Sequence, residues 1–316
     1  MTTSLYRYRT RWGGLSTRLR VHLVVLPRWF ALPMAVLTVI LGASMGEPAV
    51  VDIFLATLVV VGIMAWSHGM NTFLDYVWTG LDRGEVGERS RPKFYTSGQQ
   101  PIAEGVVKPI EVLLSAAGWL ALSALFAALL SSRGHPWVWL PWGMASLCTF
   151  GYSWGKLHYS CEVFLALGFG PIATMLGAAA APDPDLARGF LVGIPFGILF
   201  GFAAETVDQY MDAEVNWSKG LRNIGALTWK RQANLWGPIW VFVGSAMFVH
   251  LILAATGVLS PWTLLAIGPG ILFMIYGALM DELYPSPAPF QKRAIIVGLV
   301  SLVLYVLLMV VGSYVS

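Results

Sequence analysis

The chain has little charge and few side chains that bind soft metals. Only 12% of its 316 residues are charged and 57% are hydrophobic, whereas soluble proteins carry about 25% charged residues. This composition excludes an ordinary soluble globular protein. The two cysteines form no CxxC pair and say little about the redox compartment. The five scattered histidines argue against a histidine-based metal site. No basic stripe interleaved with aromatic residues is present, so we expect no nucleic-acid partner.

The sequence instead contains long apolar runs. Their lengths approach the roughly 20 residues that a helix needs to cross a bilayer. We therefore predict an all-α polytopic membrane protein whose nine transmembrane helices form a single bundle around a central cavity. The predicted spans are 29–45, 50–70, 109–131, 137–154, 163–181, 188–206, 236–257, 262–280 and 294–315. Residues 1–28 form a basic leader, and residues 29–316 form the intramembrane domain.

The basic residues are distributed unevenly between the two sides of this predicted bundle. All but two of the 20 Lys and Arg residues fall in the leader or in the loops after spans two, four, six and eight; the exceptions are Arg133 and Arg188. Basic residues accumulate on the cytoplasmic side of membrane proteins. We expect a multi-pass protein of the cell (inner) membrane with those loops in the cytoplasm. The leader is either an interfacial helix on the anionic leaflet or a topogenic tail.

Two polar motifs interrupt the apolar pattern on the predicted cytoplasmic side. They consist of Asn71, Asp75 and Asp82 after span two and of Asp208, Asp212 and Asn216 after span six. Carboxylate and amide oxygens suit Mg²⁺, which usually binds one or two carboxylates together with substrate phosphates. Cations follow both motifs, namely Arg89, Arg91 and Lys93 after the first and Lys219 and Arg222 after the second. A solvated loop would explain one such group, but two on one membrane face favour a diphosphate site.

The spacing of these motifs resembles the UbiA superfamily of intramembrane prenyltransferases. Asn71-xxx-Asp75-xxxxxx-Asp82 fits the first family motif, and Asp212-xxx-Asn216-xxx-Gly220-x-Arg222 follows the second. Tyr152-xxx-Lys156 matches a pattern at the end of the fourth helix, and nine helices is the usual family count. The resemblance covers nearly the whole chain. Residues 95–98 and 152–171 are most similar to the dihydroxynaphthoate prenyltransferases of menaquinone biosynthesis.

The resemblance implies an enzyme that transfers an isoprenyl or polyprenyl group from a prenyl diphosphate donor. The acceptor would be a small hydrophobic or aromatic, quinone-precursor-like molecule, and Mg²⁺ would assist departure of the diphosphate within the bilayer. The implied metal ligands are Asn71, Asp75, Asp82, Asp208, Asp212 and Asn216. The implied diphosphate-binding residues are Arg91, Lys93, Lys156 and Arg222. Asp75, Asp212 and Lys156 would be essential to catalysis, and the substrate pocket would include Tyr152, Glu162, Tyr210 and His68.

Some alternatives remain open at this stage. Asn216 stands where the family normally has the second Asp of its pair, so either Asp208 replaces that carboxylate, or the second ion is bound more weakly, or the chemistry differs from that of the family. His68 is alternatively a histidine that packs between helices. The same ionisation chemistry would also serve a membrane terpene cyclase without a second substrate. A transporter or accessory protein fits less well, because transporters place their charges near the midplane on broken helices.

Overall fold

The computed structural model describes residues 18–81, 83, 101–103, 105–211, 213–272 and 287–315, and regular structure throughout these residues is helical. Residues 1–17 of the predicted leader lie outside this set. The helices are α1 (Leu32–Ala43), α2 (Val50–Val77), α3 (Pro109–Ser132), α4 (Trp139–Gly155), α5 (Cys161–Ala178), α6 (Leu186–Tyr210), α7 (Ala213–Ser218), α8 (Ile224–Lys230), α9 (Trp236–Ala255), α10 (Pro261–Leu272) and α11 (Pro287–Tyr314).

The all-helical, multi-pass architecture predicted from the sequence is confirmed. Within the described residues, α2, α3, α5, α6 and α9 are each long and apolar enough to cross a membrane. Each of the other four predicted spans overlaps a helix: α1, α10 and the apolar part of α11 are shorter, and α4 has 17 residues. Nine membrane crossings therefore stay a prediction.

Small residues allow α2 and α3 to approach closely. A Cβ atom on Gly62 would lie 2.7 Å from the Ser123 side chain, and one on Gly69 would lie 3.2 Å from the Cβ of Ala116. The two helices run antiparallel, because the residue numbers rise on one helix as they fall on the other. Ser123 Oγ also donates to the Val59 carbonyl oxygen at 2.8 Å. Small residues at helix interfaces are the usual means of association in lipid, where hydrophobic burial drives helices together less strongly.

The α1–α5 contact depends on glycine more strictly. A Cβ on Gly42 would lie 1.9 Å from the Thr174 carbonyl oxygen, and one on Gly177 would lie 1.9 Å from the Val39 carbonyl oxygen. No larger residue fits at either position without separating the helices. This close contact holds α1 against the middle of the bundle, where Ala31 and Ala35 reach the central cavity.

Two helices contain π-helical turns beside that cavity. The turns are Gly168–Ile172 in α5, which includes Pro171, and Ile198–Ala204 in α6. Proline has no backbone N–H, so a wider turn around it is an expected adjustment, and such turns are common at functional sites. Phe169 and Phe200 project from these segments into the cavity. The second π-turn ends immediately before Glu205.

The loops that follow α2, α4 and α7 meet at one end of the bundle. The Arg222 N–H donates to the Lys156 carbonyl oxygen at 2.5 Å, and the Tyr159 N–H donates to the Arg222 carbonyl oxygen at 3.1 Å. Lys219 Nζ donates to the Leu81 carbonyl oxygen at 3.3 Å. These contacts place the two polar motifs at the same end of the molecule, as the span pattern predicts.

Candidate active site at one end of the bundle

A cavity of about 260 Å³ opens between α1, α2, α4, α5, α6 and α11. Its polar lining includes Asn71, Asp75, Lys156, Glu205, Asp208 and Asn216. The rest of the wall is mostly apolar and includes Ala35, Val60, Ile63, Leu176 and Phe200. The cavity therefore combines a polar end with an apolar continuation into the bundle.

The first polar motif is organised by a single lysine. Helix α2 continues to Val77, so Asn71 and Asp75 lie one turn apart on the same face. Lys156 Nζ donates to Asn71 Oδ1 at 2.8 Å and to Asp75 Oδ2 at 2.5 Å. All three side chains are buried, and Ser153 Oγ adds a 3.3 Å hydrogen bond to Asn71 Oδ1. Burial makes this charge pairing important, because a buried charge without a partner is costly.

One oxygen of the Asp75 carboxylate is left over. Asp75 Oδ1 is buried and has no hydrogen-bond partner among the described residues. An unsatisfied buried acceptor costs about 1–3 kcal/mol, and more when it is charged. Native structures rarely keep such a group unless a ligand or an ion binds it. Asp75 therefore keeps one unsatisfied carboxylate oxygen in a residue that lines the polar end of the cavity.

The second polar motif forms a chain of hydrogen bonds across the cavity. The Tyr152 hydroxyl donates to Glu205 Oε1 at 2.8 Å, and Gln209 Nε2 donates to the same oxygen at 2.6 Å. Asn216 Nδ2 in turn donates to Gln209 Oε1 at 3.3 Å. Asp208 also lines the cavity. This series of hydrogen bonds joins Glu205 of α6 to Tyr152 of α4, and Gln209 of α6 to Asn216 of α7.

Tyr152 and Lys156 connect the two motifs. Lys156 Nζ lies 4.8 Å from the centroid of the Tyr152 ring, within the range of a cation–π contact. Tyr152 also binds the α6 chain through Glu205. The Tyr-xxx-Lys pattern at the end of α4 thus stands between the carboxylates of α2 and those of α6. The structure brings together these predicted site residues: His68, Asn71, Asp75, Tyr152, Lys156, Asp208 and Asn216.

Three other predicted site residues do not line this cavity. Glu162 is buried and accepts the Ile224 N–H at 2.6 Å, so it caps α8 instead of facing a substrate. The Arg222 guanidinium stacks 4.1 Å from the Trp217 ring centroid and donates to the carbonyl oxygens of Trp217 and Leu221. Tyr210 is half-buried beside Gly225 of α8. Each of them contacts α7, α8 or the intervening loop, and its role at a ligand stays a prediction.

Four predicted residues, Asp82, Arg91, Lys93 and Asp212, lie outside the described residues. The structure therefore describes one aspartate of each polar motif, Asp75 and Asp208, but not the other, Asp82 or Asp212. Within the part of the chain that is described, no group of three or more His, Cys, Asp or Glu side chains is close enough to hold a metal ion. The predicted ligand set also includes Asp82 and Asp212, which are not described, and the two asparagines Asn71 and Asn216, which are not among these four residue types.

Three cavity residues were missed by the sequence reasoning: Arg28, Glu205 and Gln209. Glu205 and Gln209 are four residues apart, and each lies three residues before an acidic residue of the second motif, Asp208 or Asp212, so helical spacing was a signal for them. Arg28 had been assigned to the leader as one basic residue among several. Its approach to the cavity depends on a backbone conformation that the sequence does not reveal.

Residues 31–296 match the UbiA prenyltransferase family.

The chain belongs to this family.

Digeranylgeranylglyceryl phosphate synthase of Halobacterium salinarum is 27% identical to this UbiA family member over 254 residues, which cover 79% of this chain and 82% of the relative. The fold is that of an apo UbiA homologue from Aeropyrum pernix K1, with a TM-score of 0.68, 19% identity and coverage of 90% of this chain and 97% of the other. A UbiA homologue from Archaeoglobus fulgidus bound to GPP and Mg²⁺ gives a TM-score of 0.53 at 16% identity, covering 90% of this chain and 98% of the other.

Proposed function

We propose that this UbiA family member is a Mg²⁺-dependent prenyltransferase that uses a prenyl diphosphate as its donor. The observation that carries the proposal is the buried Asp75 oxygen that has no hydrogen-bond partner among the described residues. Asp75 lines the polar end of a mostly apolar cavity. A prenyl diphosphate has the same two parts, an anionic head and a hydrocarbon tail. The Archaeoglobus fulgidus homologue bound to GPP and Mg²⁺ is consistent with this assignment.

The residues present fit a magnesium ion. Asp75 Oδ1 is an open hard-oxygen ligand, and Asn71 lies one turn away on the same helix. Across the cavity, Asp208 and Glu205 supply carboxylates and Asn216 supplies an amide. Together with Asp82 and Asp212, these side chains would hold the ions. Bound Mg²⁺ would bridge the diphosphate oxygens and stabilise the negative charge of the leaving group.

The chain's own residues supply the rest of the electrostatic environment. Lys156 already lies beside Asn71 and Asp75, so its charge is in place where negative charge grows on the departing diphosphate. The Tyr152 ring is held by Glu205 and offers its face to an allylic cation. The apolar wall keeps water away from that cation. Since Glu162 caps α8, Glu205 is the better-placed carboxylate to accept a proton from an acceptor.

The acceptor is proposed to be aromatic, as in the dihydroxynaphthoate prenyltransferases that the sequence resembles. Phe169 and Phe200 line the cavity and contact each other with their ring centroids 4.5 Å apart, so the cavity wall offers aromatic surface to a planar ring. A second candidate is an acceptor of the glyceryl phosphate type. It is favoured by the Halobacterium salinarum relative, whose name describes the synthesis of digeranylgeranylglyceryl phosphate.

The experiment that tests this function incubates the purified protein with Mg²⁺ and geranyl, farnesyl or geranylgeranyl diphosphate. Each donor is offered alone, with 1,4-dihydroxy-2-naphthoate, or with geranylgeranylglyceryl phosphate, and products are identified by mass spectrometry. A prenylated naphthoate supports the aromatic acceptor, and a doubly prenylated glyceryl phosphate supports the second candidate. A product formed from donor alone would indicate the cyclase. Failure of Mg²⁺ to promote consumption of any donor would contradict the proposal.

The site is proposed to face the cytoplasm. Most basic residues belong to the loops on the side that carries both polar motifs, and the positive-inside rule assigns that side to the cytoplasm. The test compares sealed right-side-out and inverted membrane vesicles supplied with an externally added donor diphosphate. Turnover confined to inverted vesicles is expected, whereas turnover confined to right-side-out vesicles would reverse the orientation.

A further inference from the structure

Arg28 enters the central cavity through an unusual backbone conformation. It directly precedes the short helical turn Trp29–Ala31 and has φ 52° and ψ 58°, in the left-handed region. This region costs a residue with a side chain roughly 1–2 kcal/mol. Only two other non-glycine residues in the described part of the chain have a positive φ. The conformation leaves the Arg28 side chain among the cavity-lining residues.

Neighbouring contacts hold this conformation in place. His68 Nδ1 donates to the Pro27 carbonyl oxygen at 2.7 Å, so α2 binds the backbone immediately before Arg28. On the other side of Arg28, Trp29 Nε1 donates to the Leu23 carbonyl oxygen at 2.6 Å. Strained backbone persists where surrounding contacts over-determine it, and such sites are often functional. Here the contacts keep one cation aimed at the cavity.

The charge of Arg28 is not used within the described structure. Among the described residues, Arg28 and Lys156 are the two Lys or Arg side chains that line the cavity. The Lys156 ammonium already donates hydrogen bonds to Asn71 and Asp75. The Arg28 guanidinium, by contrast, has no hydrogen bond or ion pair with any described residue, although the backbone carbonyl accepts the Ala31 N–H at 3.2 Å. A guanidinium in a largely apolar cavity is expected to have an anionic partner.

Arg28 is also set apart from the carboxylate that would hold the donor's metal. Its backbone is anchored at His68, seven residues before Asp75 on α2. At 1.5 Å per residue this separation is about 10 Å along the helix axis. The backbone next to Arg28 is therefore anchored about two helical turns from Asp75, further from the C-terminal end of α2.

We infer that Arg28 binds an anionic group of the acceptor, either a carboxylate or a phosphate, and thereby selects acidic acceptors over neutral ones. The guanidinium fork matches both oxyanions through paired hydrogen bonds. The inference rests on the proposed prenyl transfer and names the acceptor's chemical class. It applies equally to an aromatic carboxylate and to a glyceryl phosphate, which the experiment separates.

The test measures acceptor binding to protein loaded with Mg²⁺ and geranyl S-thiolodiphosphate, a slowly reacting donor analogue. Matched probes differ only in the anionic group: 1,4-dihydroxy-2-naphthoate against 1,4-dihydroxynaphthalene, and geranylgeranylglyceryl phosphate against geranylgeranylglycerol. The parent should bind the anionic member of at least one pair about tenfold more tightly or better, and the successful pair identifies the source of the anion. If the parent protein binds both members of each pair with equal affinity, the inference is wrong, and no variant is needed to show it.

The variants assign the preference to Arg28. Arg28→Gln should remove most of the preference for the anionic probe and leave binding of its neutral match within about twofold, whereas Arg28→Lys should retain part of it. Arg18→Gln is the matched control, because Arg18 is exposed and pairs with Glu111 outside the cavity. An unchanged preference in Arg28→Gln contradicts the inference. Binding of the donor analogue is measured first, so its failure in the parent counts against the proposed function and not against Arg28.

Discussion

Helix α2 carries a buried aspartate near each end, Asp52 and Asp75. The two carboxylates differ in how many of their oxygens contact protein groups. Asp52 binds Arg133 Nε through Oδ1 at 2.5 Å and lies 3.4 Å from His135 Nε2 through Oδ2. Asp75 binds Lys156 through Oδ2 at 2.5 Å, but its Oδ1 has no partner among the described residues. Protein groups contact both oxygens of the Asp52 carboxylate, whereas Asp75, which lines the cavity, keeps one oxygen unsatisfied among the described residues.

The difference separates a structural charge from a binding charge. At the Asp52 end, His135 Nδ1 also lies 3.1 Å from the Ala181 carbonyl oxygen, so the cluster joins the ends of several helices and has no ligating capacity left over. At the Asp75 end, the protein leaves a desolvated oxygen unsatisfied beside a lysine. Such a group is costly in the free protein and becomes favourable only when a cation and a phosphate bind.

The largest expected effect is loss of catalysis at the open end. Asp75→Ala should lower kcat/KM by about a thousandfold or more, because an essential metal ligand contributes several kcal/mol to the transition state. Asp212→Ala should do the same if the second motif holds an ion. Initial rates with saturating Mg²⁺ give the result, and thermal unfolding in detergent checks that each variant is folded. Activity within about tenfold of the parent would remove that residue from the metal site.

Lys156→Ala should have the next largest effect. If Lys156 neutralises the donor as proposed, its charge gains importance as the diphosphate departs, so the substitution should raise KM for the donor and lower kcat together, by about a hundredfold in kcat/KM. Lys156→Arg is the control that retains the charge and should recover part of the rate. A rise in KM with unchanged kcat would restrict Lys156 to ground-state binding.

An intermediate effect is expected in the second motif, where Asn216 replaces the usual Asp. If Asp208 has taken over the missing charge, Asp208→Asn should be nearly as damaging as Asp212→Asn, and Asn216→Asp should change the Mg²⁺ requirement little. If Asn216 is a weakened ligand, Asn216→Asp should lower the Mg²⁺ concentration at half-maximal rate. We favour Asp208. An unchanged Mg²⁺ midpoint in all these variants would show that this segment holds no metal.

The smallest effect on activity should come from the closed end. Asp52→Asn leaves Arg133 and His135 without their anion, so the melting temperature should fall by about 2–4 °C. The rate should stay within about threefold of the parent, because Asp52 does not line the cavity. A loss of activity as large as that of Asp75→Ala in folded protein would abolish the distinction between the two ends.

The sequence predicted the helical architecture and the meeting of its polar motifs because both depend on short-range regularities. Apolar runs fix where helices lie, and spacing by four puts Asn71 and Asp75 on one face. The first predicted span, 29–45, begins too early, because α1 begins only at Leu32 with Pro33 in its first turn. Proline at that position suits a helix start, since its missing N–H would have no partner there.

Contacts between residues distant in sequence could not be predicted in this way. Glu162 was expected in the pocket, but the chain returns 62 residues later and places the Ile224 N–H against it. Glu205 was not singled out because its bond to Tyr152 spans 53 residues. Arg28 depends on a left-handed backbone held by His68, 41 residues from Pro27. In each case tertiary contacts, and not local pattern, decide where a charged side chain points.

The central claim is that Asp75 keeps an oxygen open for a metal ion that binds the donor. It is tested most directly by measuring Mn²⁺ binding with electron paramagnetic resonance in the presence of geranyl S-thiolodiphosphate, using the parent, Asp75→Asn and Asp52→Asn. We expect the parent and Asp52→Asn to bind Mn²⁺ with equal affinity and Asp75→Asn to bind at least about tenfold more weakly. Equal Mn²⁺ affinity in all three folded proteins would contradict the claim.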